Sequence, residues 1–153
     1  MLRIVNNSLY RILSRMKELA KSLPEYATVR SMGGVGDALA PQLIAEIGDV
    51  RRLHNGHALV ALAGIDPPPY ESGQFVGTHR KISKRGSPIL RKIGFEVMRM
   101  LKMLKSHKEP EDNAVYNYIL KKEAEGKNKK LAKIAGLNKF LRIYYARVME
   151  VYR

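Results

Sequence analysis

The sequence predicts an all-α protein: a multi-helix domain containing a helix-hairpin-helix motif, preceded by a long amphipathic, coiled-coil-like helix. Three observations lead there. Apolar residues recur at intervals of three and four through several long stretches, no stretch alternates as a half-buried strand would, and glycine, proline and cap residues interrupt the chain where helices must stop.

The first stripe is Leu9, Ile12, Leu13, Met16, Leu19, Ala20 and Leu23, with Arg11, Arg15, Lys17, Glu18 and Lys21 between them, and Pro24 closes it. It is either core-facing or a coiled-coil seam, and about two heptads do not decide between the two. Residues 1–24 therefore read as a linker helix and residues 25–153 as the domain. Left uncovered, the stripe would pair with a second copy, so a homo-oligomer through this helix is expected.

Residues 26–48 read as the hairpin: a short helix, a turn at Gly33-Gly34-Val35-Gly36, and a second helix from about Asp37 with Leu39, Leu43, Ile44 and Ile47 inward. Glycines without Cβ atoms expose successive backbone N–H groups, which together with a helix N-terminus attract an anion. Gly34, Val35 and Gly36 are thus candidate contacts to a nucleic-acid backbone, unless this is an ordinary helical hairpin. Pro41 falls early in the second helix and predicts a distorted first turn.

Asn55 is placed to cap a helix through Ala63, with Gly64 at its C-terminal end. Pro67-Pro68-Pro69 forbids helix next, so residues 65–86 are expected to be mostly irregular. Ser87-Pro88 is a cap followed by proline at the first helical position, opening a helix to about Ser106. A further pattern holds Tyr116, Ile119 and Leu120 and breaks at Gly126. The last runs from about Asn128 through Leu131, Ile134, Leu137, Leu141, Tyr144, Val148 and Val151.

Composition limits the function. The 153 residues amount to one domain, and with 45% hydrophobic residues they can build a core. The absence of cysteine excludes disulfides and thiolate metal sites, and no apolar run reaches membrane-span length. A cytoplasmic protein without a membrane partner is expected. Residues 1–78 carry eight Lys or Arg against seven acids, whereas residues 79–153 carry twenty against seven. A chain of net charge +14 with one cationic half attracts a polyanion, and nucleic acid is the expected partner, the alternative being a solvated helical surface or a ribosome-associated protein.

The segment Pro69–Arg91 places Ser72-Gly73 ahead of Arg80, Lys81, Lys84, Arg85 and Arg91. A phosphodiester is attacked by an activated hydroxyl while cations neutralise its oxygens, and arginine forks suit the second task. Ser-Gly is also an ordinary turn dipeptide. His79 is near enough in sequence to accept the proton of Ser72, with no acid partner at a diagnostic spacing. Tyr116, Tyr118, Tyr144 and Tyr145 either stack on bases or belong to the core.

Gly64-Ile65-Asp66-Pro67 followed by Ser72-Gly73, then Ile82-Ser83-Lys84-Arg85-Gly86 ending in Leu90-Arg91, resembles the C-terminal domain of the IS110/IS116/IS902 transposases. Asp49 and Leu53, and Gly126-Lys127-Asn128-Lys129-Lys130 with Ala132, extend the likeness from about Val29 to Tyr152. The resemblance implies that Ser72 is the catalytic nucleophile that joins covalently to DNA during strand cleavage and joining. It also implies a structured guide RNA as partner. Lys129 and Lys130 join Arg80, Lys81, Lys84, Arg85 and Arg91 as expected nucleic-acid contacts. The family enzymes carry an amino-terminal RuvC-like domain whose acids bind divalent metal, so this chain reads as a carboxyl-terminal part, inactive alone. No cofactor or metal site is expected in it, and Mg2+ belongs to the other domain. The competing reading is a helix-hairpin-helix module that grips DNA or RNA without chemistry.

Overall fold

The computed structural model describes residues 1–67, 71–72, 75–76, 81–105 and 113–153, at 71–72, 75–76 and 105 by the backbone alone. The order is α1 (Leu2–Lys21), α2 (Tyr26–Ser31), α3 (Gly36–Ile47), a 3₁₀ turn (Val50–Arg52), α4 (Gly56–Ala63), β1 (Glu71–Ser72), β2 (Phe75–Val76), α5 (Pro88–Lys105), α6 (Ala114–Ala124) and α7 (Lys129–Val151). The fold is all-α. The two strands form one antiparallel ladder in which Ser72 faces Phe75. With two residues on each side, such a ladder is too short to show alternation in a sequence.

Side-chain caps fix four helix starts. Asn55, Ser87, Asn113 and Asn128 accept hydrogen bonds from the backbone N–H groups of Ala58, Leu90, Tyr116 and Leu131 at 2.9, 3.0, 3.2 and 2.9 Å. Each cap stabilises its helix by about 1 kcal/mol. Gly64 ends α4 at φ +65°, the left-handed conformation expected of a C-terminal glycine.

The core gathers around α7, which packs on α2, α4, α5, α6 and the 3₁₀ turn. Leu137, Phe140, Leu141 and Tyr144 of α7 are buried with Leu43 and Ile47 of α3, Leu59 of α4, Leu90 and Met98 of α5, and Ile119 of α6. Tyr144 is therefore a core residue, and burial pushes its phenol pKa up. The two ends of the domain are tied where the Tyr152 hydroxyl donates to Glu25 Oε2 at 2.5 Å, under an Arg51 guanidinium 4.4 Å from the Tyr152 ring centre. That bond satisfies the buried Glu25 carboxylate.

α1 begins seven residues before Leu9, because nothing between Leu2 and Ser8 breaks a helix. Its two ends differ. Residues 1–13 are exposed along their whole length, while Met16, Leu19, Ala20 and Leu23 meet Pro41, Ile44 and Ala45 of α3 across a small apolar cleft. Pro41 sits inside α3 and lacks an N–H, which leaves the Asp37 carbonyl without its helical donor. The helix continues past it to Ile47, and the irregularity of its start lies in Gly36, at φ +61°.

Candidate functional site

The two segments that flank Ser72 in sequence are zipped together at their base. Ser83 N–H donates to the Asp66 carbonyl at 2.8 Å, Lys84 N–H to the Gly64 carbonyl at 2.9 Å, and Ser87 N–H to the Leu62 carbonyl at 2.6 Å. The Ser83 hydroxyl adds a bond to Asp66 Oδ1 at 2.8 Å. Residues 62–66 and 83–87 thus form a stem, and the chain between them returns on itself through the ladder that holds the Ser72 backbone.

The stem closes only because glycine stands on both sides of it. A Cβ on Gly86 would lie 2.1 Å from the Leu62 carbonyl oxygen and 2.5 Å from the Gly64 nitrogen. A Cβ on Gly64 would lie 2.6 Å from the Gly86 nitrogen. Both glycines of the sequence pattern are therefore needed for one backbone contact.

The side chains around the stem divide by task. Arg91 donates to the Ala63 carbonyl at 3.1 Å and the Gly86 carbonyl at 3.4 Å, so it binds the end of α4 to the entry of α5. The Ser87 hydroxyl accepts from Leu90 N–H while donating to Glu46 Oε1 at 2.5 Å, which anchors the stem to α3. Lys81, Lys84 and Arg85 are exposed, and Lys84 takes the left-handed conformation at φ +55°, unusual for a non-glycine residue. Arg80, His79 and the Ser72 side chain lie outside the described residues.

The glycine hairpin packs farther along α5, against Val97 and Leu101. A Cβ on Gly34 would meet the Val97 carbonyl oxygen at 2.5 Å and Leu101 Cβ at 3.0 Å, so Gly34 packs inward, and Val35 is buried as well. Gly36 is exposed, with open space where a Cβ would be. α3 and α5 run antiparallel, with Gly34 beside Val97 and Glu46 beside Ser87. At about 1.5 Å per residue, hairpin turn and stem are roughly 14 Å apart along α5.

Asp37, in the first turn of α3, accepts from Arg30 and from the Tyr26 hydroxyl and lies 3.8 Å from Lys17 Nζ. The Arg30 hydrogen bond holds its carboxyl below the usual range. A carboxylate of the protein itself thus occupies part of the positive end of α3. Asp49 caps the 3₁₀ turn and chelates Arg51, which lowers its pKa in the same way. Lys129 and Lys130 are exposed at the start of α7. Among the described residues, no three His, Asp or Glu side chains come together as a metal site.

Reading the sequence alone found the cap at Ser87 but missed its bond to Glu46 and the pairing of Asp66 with Ser83. Asp66 and Ser83 lay in plain view inside the two motif segments, whereas Glu46 carries no local signal of its partner 41 residues away.

A stretch of 79 residues, half of this chain, is 34% identical to the transposase for insertion sequence element IS1111A of Coxiella burnetii (strain RSA 493 / Nine Mile phase I). That stretch spans about a fifth, 21%, of the relative's length. A sequence profile of the transposase IS116/IS110/IS902 family matches residues 26–117, which takes in the hairpin, the stem and α5 and stops short of the Lys127–Lys130 segment. Since that match covers more than half of the chain, the protein belongs to the IS116/IS110/IS902 transposase family.

Proposed function

We propose that this chain is the serine-bearing part of a DNA transposase, binding the nucleic-acid backbone and supplying Ser72 as the nucleophile for strand cleavage and joining. The observation that supports it best is the stem. A loop pinned at both ends by glycine contact and three backbone hydrogen bonds presents the Ser72 segment from a fixed base, with Lys81, Lys84 and Arg85 exposed on that base. In the reaction the Ser72 oxygen adds to phosphorus as its proton leaves, a serine–phosphate ester forms, and the displaced sugar hydroxyl departs. The exposed cations would offset charge on the phosphoryl oxygens. The exposed Gly36 end of the hairpin would touch the backbone farther along the same strand.

The reading includes a metal-binding RuvC-like domain acting with this part, Mg2+ held there, and a guide RNA as partner. It also includes self-association through α1, where Leu2, Ile4, Val5, Leu9, Ile12 and Leu13 are exposed. No described helix is long and apolar enough to cross a membrane, in keeping with a cytoplasmic site of action.

The test is a nicked suicide duplex incubated with the full-length enzyme. A covalent adduct mapped by mass spectrometry to Ser72 is expected, lost in Ser72→Ala with DNA binding retained. An adduct of normal yield in the alanine variant would overturn the assignment. DNA binding without any adduct in the unmodified enzyme would favour a backbone-gripping module instead.

A further inference from the structure

Away from the stem, the amino end of α4 and the middle of α7 enclose an open cavity of about 740 Å³. Gly56, His57, Tyr118, Asn138, Lys139 and Arg142 are among the residues lining it, and no carboxylate is. Gly56 lets the two helices approach, since a Cβ there would already stand 3.3 Å from Arg142 Cα. α4 has eight residues, so this groove and the Gly64 end of the stem lie about 12 Å apart, at opposite ends of one short helix.

The charges in the groove are unbalanced. Lys122, nearby on α6, pairs with Glu125 at 2.7 Å, but Lys139 and Arg142 have no carboxylate partner among the described residues. Lys139 Nζ instead rests 4.8 Å from the centre of the Tyr118 ring. Spaced three apart, Lys139 and Arg142 project from one face of α7 into the same concavity, where apolar walls strengthen their field. Beyond Lys139 and Arg142, α7 carries four more Lys or Arg against Glu150 alone. The second half of the chain, with twenty Lys or Arg against seven acids in residues 79–153, favours a polyanion over a small anion.

We infer that the α4–α7 groove is a second nucleic-acid backbone site, separate from the Ser72 loop, in which Lys139 and Arg142 contact phosphates and Tyr118 holds Lys139 in place. This inference rests on the reading of the chain as a nucleic-acid-acting protein. Asn138 and the free N–H groups of Gly56 and His57 at the start of α4 add donors suited to phosphate oxygens.

The test measures fluorescence anisotropy of labelled single-stranded DNA, duplex DNA and an RNA hairpin with the 153-residue chain, across a salt series. Two phosphate contacts contribute a slope of about −1.8 in log affinity against log salt on duplex DNA, so Lys139→Ala with Arg142→Ala should flatten the slope by that amount. The nucleic acid on which the loss is largest identifies the occupant. Equal slopes for variant and unmodified chain on all three would overturn the groove. Absence of salt-dependent binding by the unmodified chain would overturn the broader reading. Binding of polyglutamate that depends on Lys139 and Arg142, without DNA or RNA binding, would make the surface one for an acidic protein and reject the proposal. If the double variant does not fold, lysine acetylation of the unmodified chain decides: nucleic acid should shield Lys139 several-fold, and an unshielded Lys139 would refute the site.

Discussion

The hairpin turn and the loop stem are both glycine turns beside positive charge, yet they spend their residues differently. At the hairpin, Gly34 packs on α5, Val35 is buried, and Gly36 has open space beside it. Arg30 there is engaged by Asp37, a carboxylate from its own chain. At the stem, glycine contact, two serines and Arg91 close the backbone, and Lys81, Lys84 and Arg85 are left over for a ligand. A basic residue near a candidate site is thus available to a ligand only after the fold has taken the donors it needs.

The sharpest way to break this comparison is at the stem glycines. Gly86→Val puts side-chain atoms into the Leu62 carbonyl, and the loss expected is about 3 kcal/mol, read by urea unfolding. An unaltered midpoint would show that the two segments do not meet.

Within the hairpin, Gly34→Ala should be clearly worse than Gly36→Ala. Both positions have positive φ, a strain of about 1 to 2 kcal/mol for alanine, but only at Gly34 does the new methyl also strike the α5 backbone. Equal losses would mean that the turn does not pack on α5. Arg91→Ala and Arg85→Ala separate the two tasks at the stem. The first should reduce stability by about 1 to 2 kcal/mol through unmet carbonyls. The second should leave stability nearly unchanged and flatten the duplex salt slope by about 0.9.

The smallest effect is at Asp37. Its folded pKa lies below the ordinary 3.8, so its contribution is complete above that pH and disappears as pH falls through the lower folded value. Thermal melts of Asp37→Asn should therefore run below those of the unmodified chain near neutral pH and converge with them in acid. A gap that persists in acid would assign the loss to packing and not to charge.

Helix order was legible because its signals are local. Asn55, Ser87 and Asn128 announce their helices, Gly64 stops one, and Leu137, Leu141, Tyr144 and Val148 of the α7 stripe are buried, while Leu131 at its start is exposed. The site was legible only as composition. That Arg91 is a structural donor while Arg85 is exposed depends on which carbonyls lie within reach, a fact set by contacts between distant segments. α1 reads in the sequence as residues 1–24 and runs from Leu2 to Lys21.

Because the stem is sealed below the loop, the chain above it is thermodynamically cheap to alter. Doubling the number of residues in a closed flexible loop adds only about 0.6 kcal/mol of closure entropy, less than the loss expected from one misplaced methyl at Gly86. Loops of different length and sequence can therefore be exchanged on the same base while the helices beneath keep their packing. Grafting the segment between Pro67 and Lys81 from one relative into another should therefore leave the urea midpoint of the scaffold nearly unchanged.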